Sequence, residues 1–312
     1  MSCLMCGHAA LAPRFTAGDR LYGVTEKRFQ IAACARCGLL QLDPLPAASE
    51  LPAYYPANYW FAPDRTAASR LEEAYRRLVL RDHIAFVERA LRDCPPGPVL
   101  DVGCGGGLLL GMLARDGYRA VGLDLSVEAA AIAAERDGVV AVCGSLEHAP
   151  LREGCCAAVT MFHVVEHLRD PRAYLRAAHA LLKPGGRLVV QAPNAACWQF
   201  RLLGRAWTGI DVPRHLGTFR ASDLKALVED CGFNVLREKH FSLRDNPAGL
   251  ASSLAPRLDP MARRIRRVPE SAWGKLAKDA VYFALVLGAL PFAAAEAAFR
   301  AGSTVMLEAR RV

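Results

Sequence analysis

The chain has no charge-free run of about twenty residues, the length a helix needs to cross a bilayer. Its N-terminal MSCLMCGHAA has no basic stretch leading into an apolar one, so no secretory leader is read there and a reducing, cytoplasmic setting is expected. In that setting disulfides are excluded for the eleven cysteines, which leaves metal ligation or burial as thiols. Internal repeats are missing, and 22% charged against 53% hydrophobic residues excludes a disordered tail. What is present is 312 residues, enough for one large core with a small satellite, and a net charge of +8 that suits an anionic partner but does not bear on fold.

Residues 1–45 carry two Cys pairs and short apolar runs, followed by the aromatic residues Tyr54, Tyr55, Tyr59, Trp60 and Phe61. From Ser69 to Arg92, Leu71, Ala74, Tyr75, Leu78, Ile84, Val87 and Leu91 recur at helical spacing, and Cys94-Pro95-Pro96-Gly97-Pro98 ends that helix. Val99 to Val102 then reads as a buried strand, Leu108 to Asp116 as a helix and Ala120 to Asp124 as a second strand, a βαβ unit. Further strands are predicted at 139–143, 157–162 and 187–191, with helices at 128–137 and 171–182 between them. This alternation predicts a doubly wound α/β fold, a parallel sheet covered on both faces. A helix capped by Ser222 and running to Cys231, with Gly232 past its end, precedes a strand near 234–241. The last strand is placed at Ser303 to Ala309, which makes Leu243 to Gly302 an insertion between neighbouring strands.

The most informative stretch is Leu100-Asp101-Val102-Gly103-Cys104-Gly105-Gly106-Gly107, a strand delivered into a glycine-rich turn. Glycine permits positive φ and lets a ligand approach the backbone, and the following helix start offers free N–H groups to an anionic ligand group. The dinucleotide fingerprint needs a third glycine at the sixth position, where Leu108 stands, so a dinucleotide is disfavoured. Asp124 ends the next strand, where a carboxylate can accept hydrogen bonds from both ribose hydroxyls.

Through LDVGCGGG, GLDLS, VTMFHVVEHLRDP, LKPGGRLVVQAPN and PRHL before a helix ending in CGF, the chain resembles class I methyltransferases that use S-adenosylmethionine. The resemblance covers residues 97–241 and the strand at 303–309. It implies a Rossmann-like, mostly parallel seven-stranded sheet, with Asp101, Gly103, Cys104, Gly105 and Gly107 shaping the cofactor pocket. Asp124 and Leu125 would lie at the ribose, Ser145 and Leu146 at the adenine, and Phe162 and His163 would close the site. Two positions depart from the pattern: Ala157 stands where relatives often have aspartate, and Ser145 where an acidic adenine contact is common.

Cys3-x2-Cys6 and Cys34-x2-Cys37 have the spacing of two knuckles that complete a tetrahedral four-thiolate site, and four sulfurs with no open position describe a structural zinc ion. A lobe of this size has too little core to fold without such a staple. The organisation expected is thus a zinc-ribbon-like lobe (1–45), a linker and N-terminal helix (46–96), the cofactor-binding core (97–242), a basic and apolar helical insertion (243–302) and the last core strand (303–312).

Residues just past the strand ends are the place to look for chemistry. They are His163, Glu166, His167, Asn194 and the group Asp211, Pro213, Arg214 and His215. His167 and His215 are the candidate bases, since imidazole accepts a proton near neutral pH, and Arg214 is a candidate anchor for an anionic acceptor. No Asn-Pro-Pro-aromatic sequence follows a strand, which disfavours exocyclic base amines as acceptors.

In the insertion, Arg257, Arg263, Arg264, Arg266, Arg267, Lys275 and Lys278 precede the charge-free run Ala280 to Ala295. Basic then apolar is a membrane-surface pattern, and residues 257–299 are the expected contact. The run is short of a span, is interrupted by Gly288 and Pro291 and ends at Glu296, so a peripheral or packed hairpin is expected at the inner face of the membrane, against the core, or against a second copy in a homodimer. The resemblance implies a small-molecule, sugar or lipid-linked glycan acceptor. RNA methylation and a non-catalytic cofactor-sensing module remain as alternatives; nucleic acid is disfavoured because the arginines adjoin an apolar run rather than interleaved aromatics.

Overall fold

The computed structural model describes residues 2–56, 59 and 67–312; Trp60 and Phe61 lie outside them. Three strands, β1 (Leu11–Gly18), β2 (Arg28–Cys34) and β3 (Leu40–Leu42), come first, followed by helices α1 (Ala67–Val79) and α2 (Arg81–Leu91). The alternating segment is β4 (Val99–Val102), α3 (Leu108–Arg115), β5 (Ala120–Asp124), α4 (Val127–Ala134), β6 (Val139–Cys143), β7 (Cys156–Phe162), α5 (Pro171–Leu181) and β8 (Leu182–Pro193). Then come α6 (Trp198–Leu203), β9 (Gly217–Thr218), α7 (Ala221–Asp230), β10 (Phe233–Lys239), α8 (Asn246–Leu254), α9 (Pro260–Ile265), α10 (Ala272–Ala298) and β11 (Thr304–Arg311).

The large sheet has the order β10-β11-β8-β7-β4-β5-β6, parallel from β8 through β6 and antiparallel at β11 and β10. All four residues of β4 are buried, because helices cover both faces of a parallel sheet. Strand order reverses between β4 and β7, the switch point at whose carboxyl ends a crevice forms.

The small sheet is β1-β2-β3-β9, antiparallel throughout. Its fourth strand comes from far along the chain: Leu40 pairs with Thr218 and Gln41 with Gly217. Cys3, Cys34 and Leu39 share one buried cluster with Leu224 and Leu227 of α7, so the N-terminal sheet is continuous with the larger core.

Three local expectations are corrected. The helix expected from Ser69 to Arg92 is two helices meeting at Leu80, because its apolar residues serve two faces: Ile84 and Val87 are buried, whereas Leu71, Tyr75 and Leu78 point outward. Ser222 lies inside the first turn of α7. The cap is at Arg220, whose backbone N–H donates to the Asp223 carboxylate at 3.0 Å. The charge-free run is not broken: α10 continues through Gly288 and Pro291 and past Glu296 to Ala298. Pro291 leaves the Leu287 carbonyl without its helical donor, and both residues are on the exposed side, where that carbonyl need not be buried.

Candidate active site

The loop after β4 turns on positive φ at Gly103, Gly105 and Gly107. A Cβ on Gly103 would stand 2.7 Å from Val164, and one on Gly107 would meet Ala133 at 2.8 Å, so here glycine is required by both conformation and space. Asp124 is buried at the end of β5. Gly105 N–H donates to one of its carboxylate oxygens at 2.9 Å and Ser126 N–H to the other at 2.8 Å, which ties the loop to the acid expected to hold ribose. Burial pushes the Asp124 carboxyl up. Asp101 is pushed up to about 7 by burial and then by the nearby Asp124 charge, while Thr160 Oγ1 donates to it at 2.6 Å.

Asp101, Gly103, Gly105, Gly107 and Asp124 thus meet at the carboxyl ends of β4 and β5. Leu125 is exposed beside them, and Ser145 follows β6 with its hydroxyl 3.0 Å from His148 Nδ1. Two expected lining side chains turn away: Cys104 packs into an apolar cluster with Leu110, Ala120 and Ala133, and Leu146 belongs to the main core.

After β7 and β8 the polar groups converge. His163, at φ 56°, places Nδ1 3.1 Å from Glu166 and Nε2 3.4 Å from Asp245. Burial opposes its charge, but the Asp245 and Glu166 carboxylates outweigh that and hold its pKa up to about 10. His167 is the reverse case: burial and then the neighbouring His215 lower it to about 4, so at neutral pH it is uncharged. Its Nδ1 lies 2.9 Å from the Arg214 carbonyl, which can only accept, so this nitrogen carries the proton and Nε2 keeps its lone pair. Tyr55 Oη is also 2.9 Å from Nδ1. His215 donates Nδ1–H to the Gly209 carbonyl at 2.9 Å, and its ring packs edge-on to His167 at 4.7 Å. Glu166, His167 and His215 present donor atoms within 4.8 Å of one another, and Glu166 Oε2 is buried without a hydrogen-bond partner.

Arg214 is no acceptor anchor. It is fully buried, paired with Asp19 at 2.8 Å and Asp211 at 2.7 Å, and stacked on the Tyr22 ring. Asn194 is also structural, accepting from Ala196 and Ala221 N–H and donating to the Gly302 carbonyl. Sequence reasoning missed Asp245, His83 and Gln191. Asp245 accepts from Gln191 Nε2 at 2.7 Å, with His83 Nε2 3.5 Å away. A signal existed for His83, a polar residue among Leu80, Ile84 and Val87 on the buried face of α2.

At the N-terminus the turns Cys3-Leu4-Met5-Cys6-Gly7 and Cys34-Ala35-Arg36-Cys37-Gly38 have the same form. In each a positive-φ glycine donates its N–H to the first cysteine carbonyl at 2.9 Å. The four sulfurs lie within 4.8 Å of one another, with Cys3 and Cys37 at 3.5 Å and Cys6 and Cys34 at 3.6 Å. A tetrahedral ion with bonds of about 2.3 Å to sulfur needs edges of about 3.8 Å, so the four thiols fit one.

The family model for the methyltransferase domain matches residues 70–238. The chain is 35% identical over 164 residues to the ubiquinone biosynthesis O-methyltransferase of Sodalis glossinidius, a match covering 48% of this chain and 64% of that one. To the protein of that description from Cronobacter sakazakii it is 35% identical over 176 residues, 52% of this chain and 70% of the relative. The match thus falls just short of two thirds of the Sodalis relative's length. Among solved structures the chain is similar to the [4+2]-cyclase SpnF, with a TM-score of 0.50 and 23% identity over 81% of this chain and 85% of that one. It is also similar to the geranyl diphosphate C-methyltransferase of Streptomyces coelicolor A3(2), with a TM-score of 0.51 and 18% identity over 74% and 76%. These two likenesses show the fold; a cyclase and a methyltransferase on one scaffold leave the chemistry to the site. The chain belongs to the methyltransferase-domain family, and with it to the class I S-adenosylmethionine-dependent methyltransferases.

Proposed function

We propose that this chain methylates a hydroxyl oxygen of a small-molecule acceptor. The observation that carries this reading is the cluster of Glu166, His167 and His215 just past the end of β7, the strand that pairs with β4 and its glycine loop. S-adenosylmethionine supplies the electrophilic methyl group when bound. Asp124 would hold the ribose hydroxyls of that cofactor, and the N–H groups at the start of α3 would receive its methionine carboxylate. His167 Nε2 takes the acceptor's hydroxyl proton, and the buried Glu166 carboxylate steadies the imidazolium that results, with His215 orienting the acceptor. Support for oxygen as the accepting atom comes from the relatives, which are named O-methyltransferases.

A zinc ion held by Cys3, Cys6, Cys34 and Cys37 would be structural, since all four positions are protein thiolates. Sugar and lipid-linked glycan acceptors fall within the same reading and are separated from simple hydroxylated rings by trial.

Calorimetric titration with S-adenosylmethionine, S-adenosylhomocysteine and NAD, followed by transfer of labelled methyl to phenols, sugars, nucleotide sugars, lipid-linked acceptors and RNA, tests the proposal. Binding of the first two and labelling of a hydroxylated small molecule are expected. NAD binding would overturn the cofactor assignment, tight binding with no acceptor labelled would favour a cofactor sensor, and labelled RNA would move the acceptor class.

A further inference from the structure

Helix α10 has 27 residues, about 40 Å at 1.5 Å per residue, and by length and composition it could cross a membrane. Its packing says otherwise. Val286, Ala289, Ala293 and Glu296 form one buried face, and Glu296 accepts from Gln199 N–H at 2.8 Å and from its side-chain amide at 3.0 Å. Nearer the N-terminus the Tyr282 hydroxyl meets Ser252 at 2.8 Å and Asp259 at 3.2 Å. Crossing a bilayer would strip these buried polar groups of their partners.

The opposite face is apolar and uncovered. Trp273, Leu276, Phe283 and Leu287 fall on one helical stripe, and Trp273 is 81% exposed. The exposed residues Ala280, Ala284 and Pro291 on that stripe carry no charge. Helix α1 widens the stripe, with Tyr75 stacked edge-on against Phe283 at 6.3 Å and Leu71 outward beside it in sequence register. Of the seven cations in this region, Arg263 is spent on Glu270 and Asp279 and Lys278 on Glu270. Arg257, Arg267 and Lys275 are exposed and pair with no carboxylate among the described residues, whereas Arg266 donates to the Leu21 and Arg20 carbonyls and Arg264 lies 3.8 Å from Glu72.

We infer that this face lies on an anionic lipid bilayer, with α10 parallel to the surface: the stripe enters the acyl boundary and the unpaired cations meet lipid headgroups. A second copy seated on the same stripe is the competing occupant, and the solution state of the protein separates the two. The inference stands apart from the methyl-transfer reading, since vesicle binding and S-adenosylmethionine binding are read separately.

The test is flotation of the full-length protein with phosphatidylcholine vesicles, with and without phosphatidylglycerol, alongside sedimentation of the protein alone. Flotation only with anionic vesicles is expected. The triple variant Leu276→Gln, Phe283→Gln, Leu287→Gln should lose it by on the order of a hundredfold. Arg267→Glu with Lys275→Glu should weaken it about tenfold at low salt and little at high salt. Unchanged S-adenosylmethionine binding in both variants checks the fold. No flotation with anionic vesicles, flotation indifferent to the triple variant, or a dimer in solution that the triple variant makes monomeric would each overturn the inference.

Discussion

The glycine loop and ribose acid of the proposed cofactor half come from one unbroken stretch, Asp101 to Asp124, whereas the acceptor half gathers Tyr55, His167, His215 and Asp245 from segments far apart in the chain, joined to the first by His163, the residue expected to close the cofactor site. The first is held by backbone: positive-φ glycines and two N–H donors on one carboxylate. The second is held by side chains whose charges depend on one another, with Asp245 kept well below the usual carboxylate range against its burial by His163 and Arg244. A site built this way can keep its cofactor half fixed while substitutions retune the acceptor half.

The sharpest way to break the comparison is to disturb only the second half from a distance. Cys34→Ser should abolish a stoichiometry of one zinc per chain and nearly all methyl transfer, yet leave S-adenosylmethionine affinity within about threefold, because β3 holds β9 and β9 begins two residues after His215. Equal loss of cofactor binding, read by calorimetry, would mean that the halves are not separable.

His167→Asn should lower kcat by about 10² to 10⁴ with the KM for the methyl donor unchanged. The pH profile sharpens this. With its pKa lowered from 6.5 to about 4, His167 keeps its lone pair down to that pH, so the acid limb of kcat belongs near 4. Between 6.5 and 4 the unfolded chain takes up a proton that the folded one refuses, so this residue's contribution to stability falls as pH falls. His163 runs the other way: its pKa is raised to about 10, so its contribution is complete below 6.5 and is lost as pH rises through 10. Thermal melts across pH in the wild type and in His163→Gln read both limbs.

Asp124→Ala should weaken S-adenosylmethionine by about a hundredfold, the loss of two hydrogen bonds to a charged acceptor, without moving the acceptor KM. The smallest effect is expected from Gly103→Ala, about 1 to 2 kcal/mol of stability by chemical denaturation, from the positive φ and the Val164 contact.

The same contrast explains how much was legible in the sequence. Periodicity and the glycine turn locate the sheet strands, because a parallel strand buried on both faces leaves a largely apolar run such as Val99 to Val102, broken only by Asp101. Seven strands and the loop followed, and Asp124 sits where its spacing placed it. Contacts between distant segments leave no such mark. Arg214 looked available until Asp19, almost two hundred residues earlier, proved to hold it, and nothing near Asp245 in sequence announces His163. Helix α10 misled because the packing of its buried face outweighs the helix cost of Gly288 and Pro291.

Strand β9 carries a practical lesson for anyone recombining this protein. Gly217 and Thr218 complete the N-terminal sheet, and Leu216 just before them donates its N–H to the Glu166 carbonyl at 2.7 Å. A chimera that exchanged the cysteine lobe for a foreign one would therefore remove the seam on which His215 rests. To keep a working catalyst, the graft would have to bring its own partner for that two-residue edge.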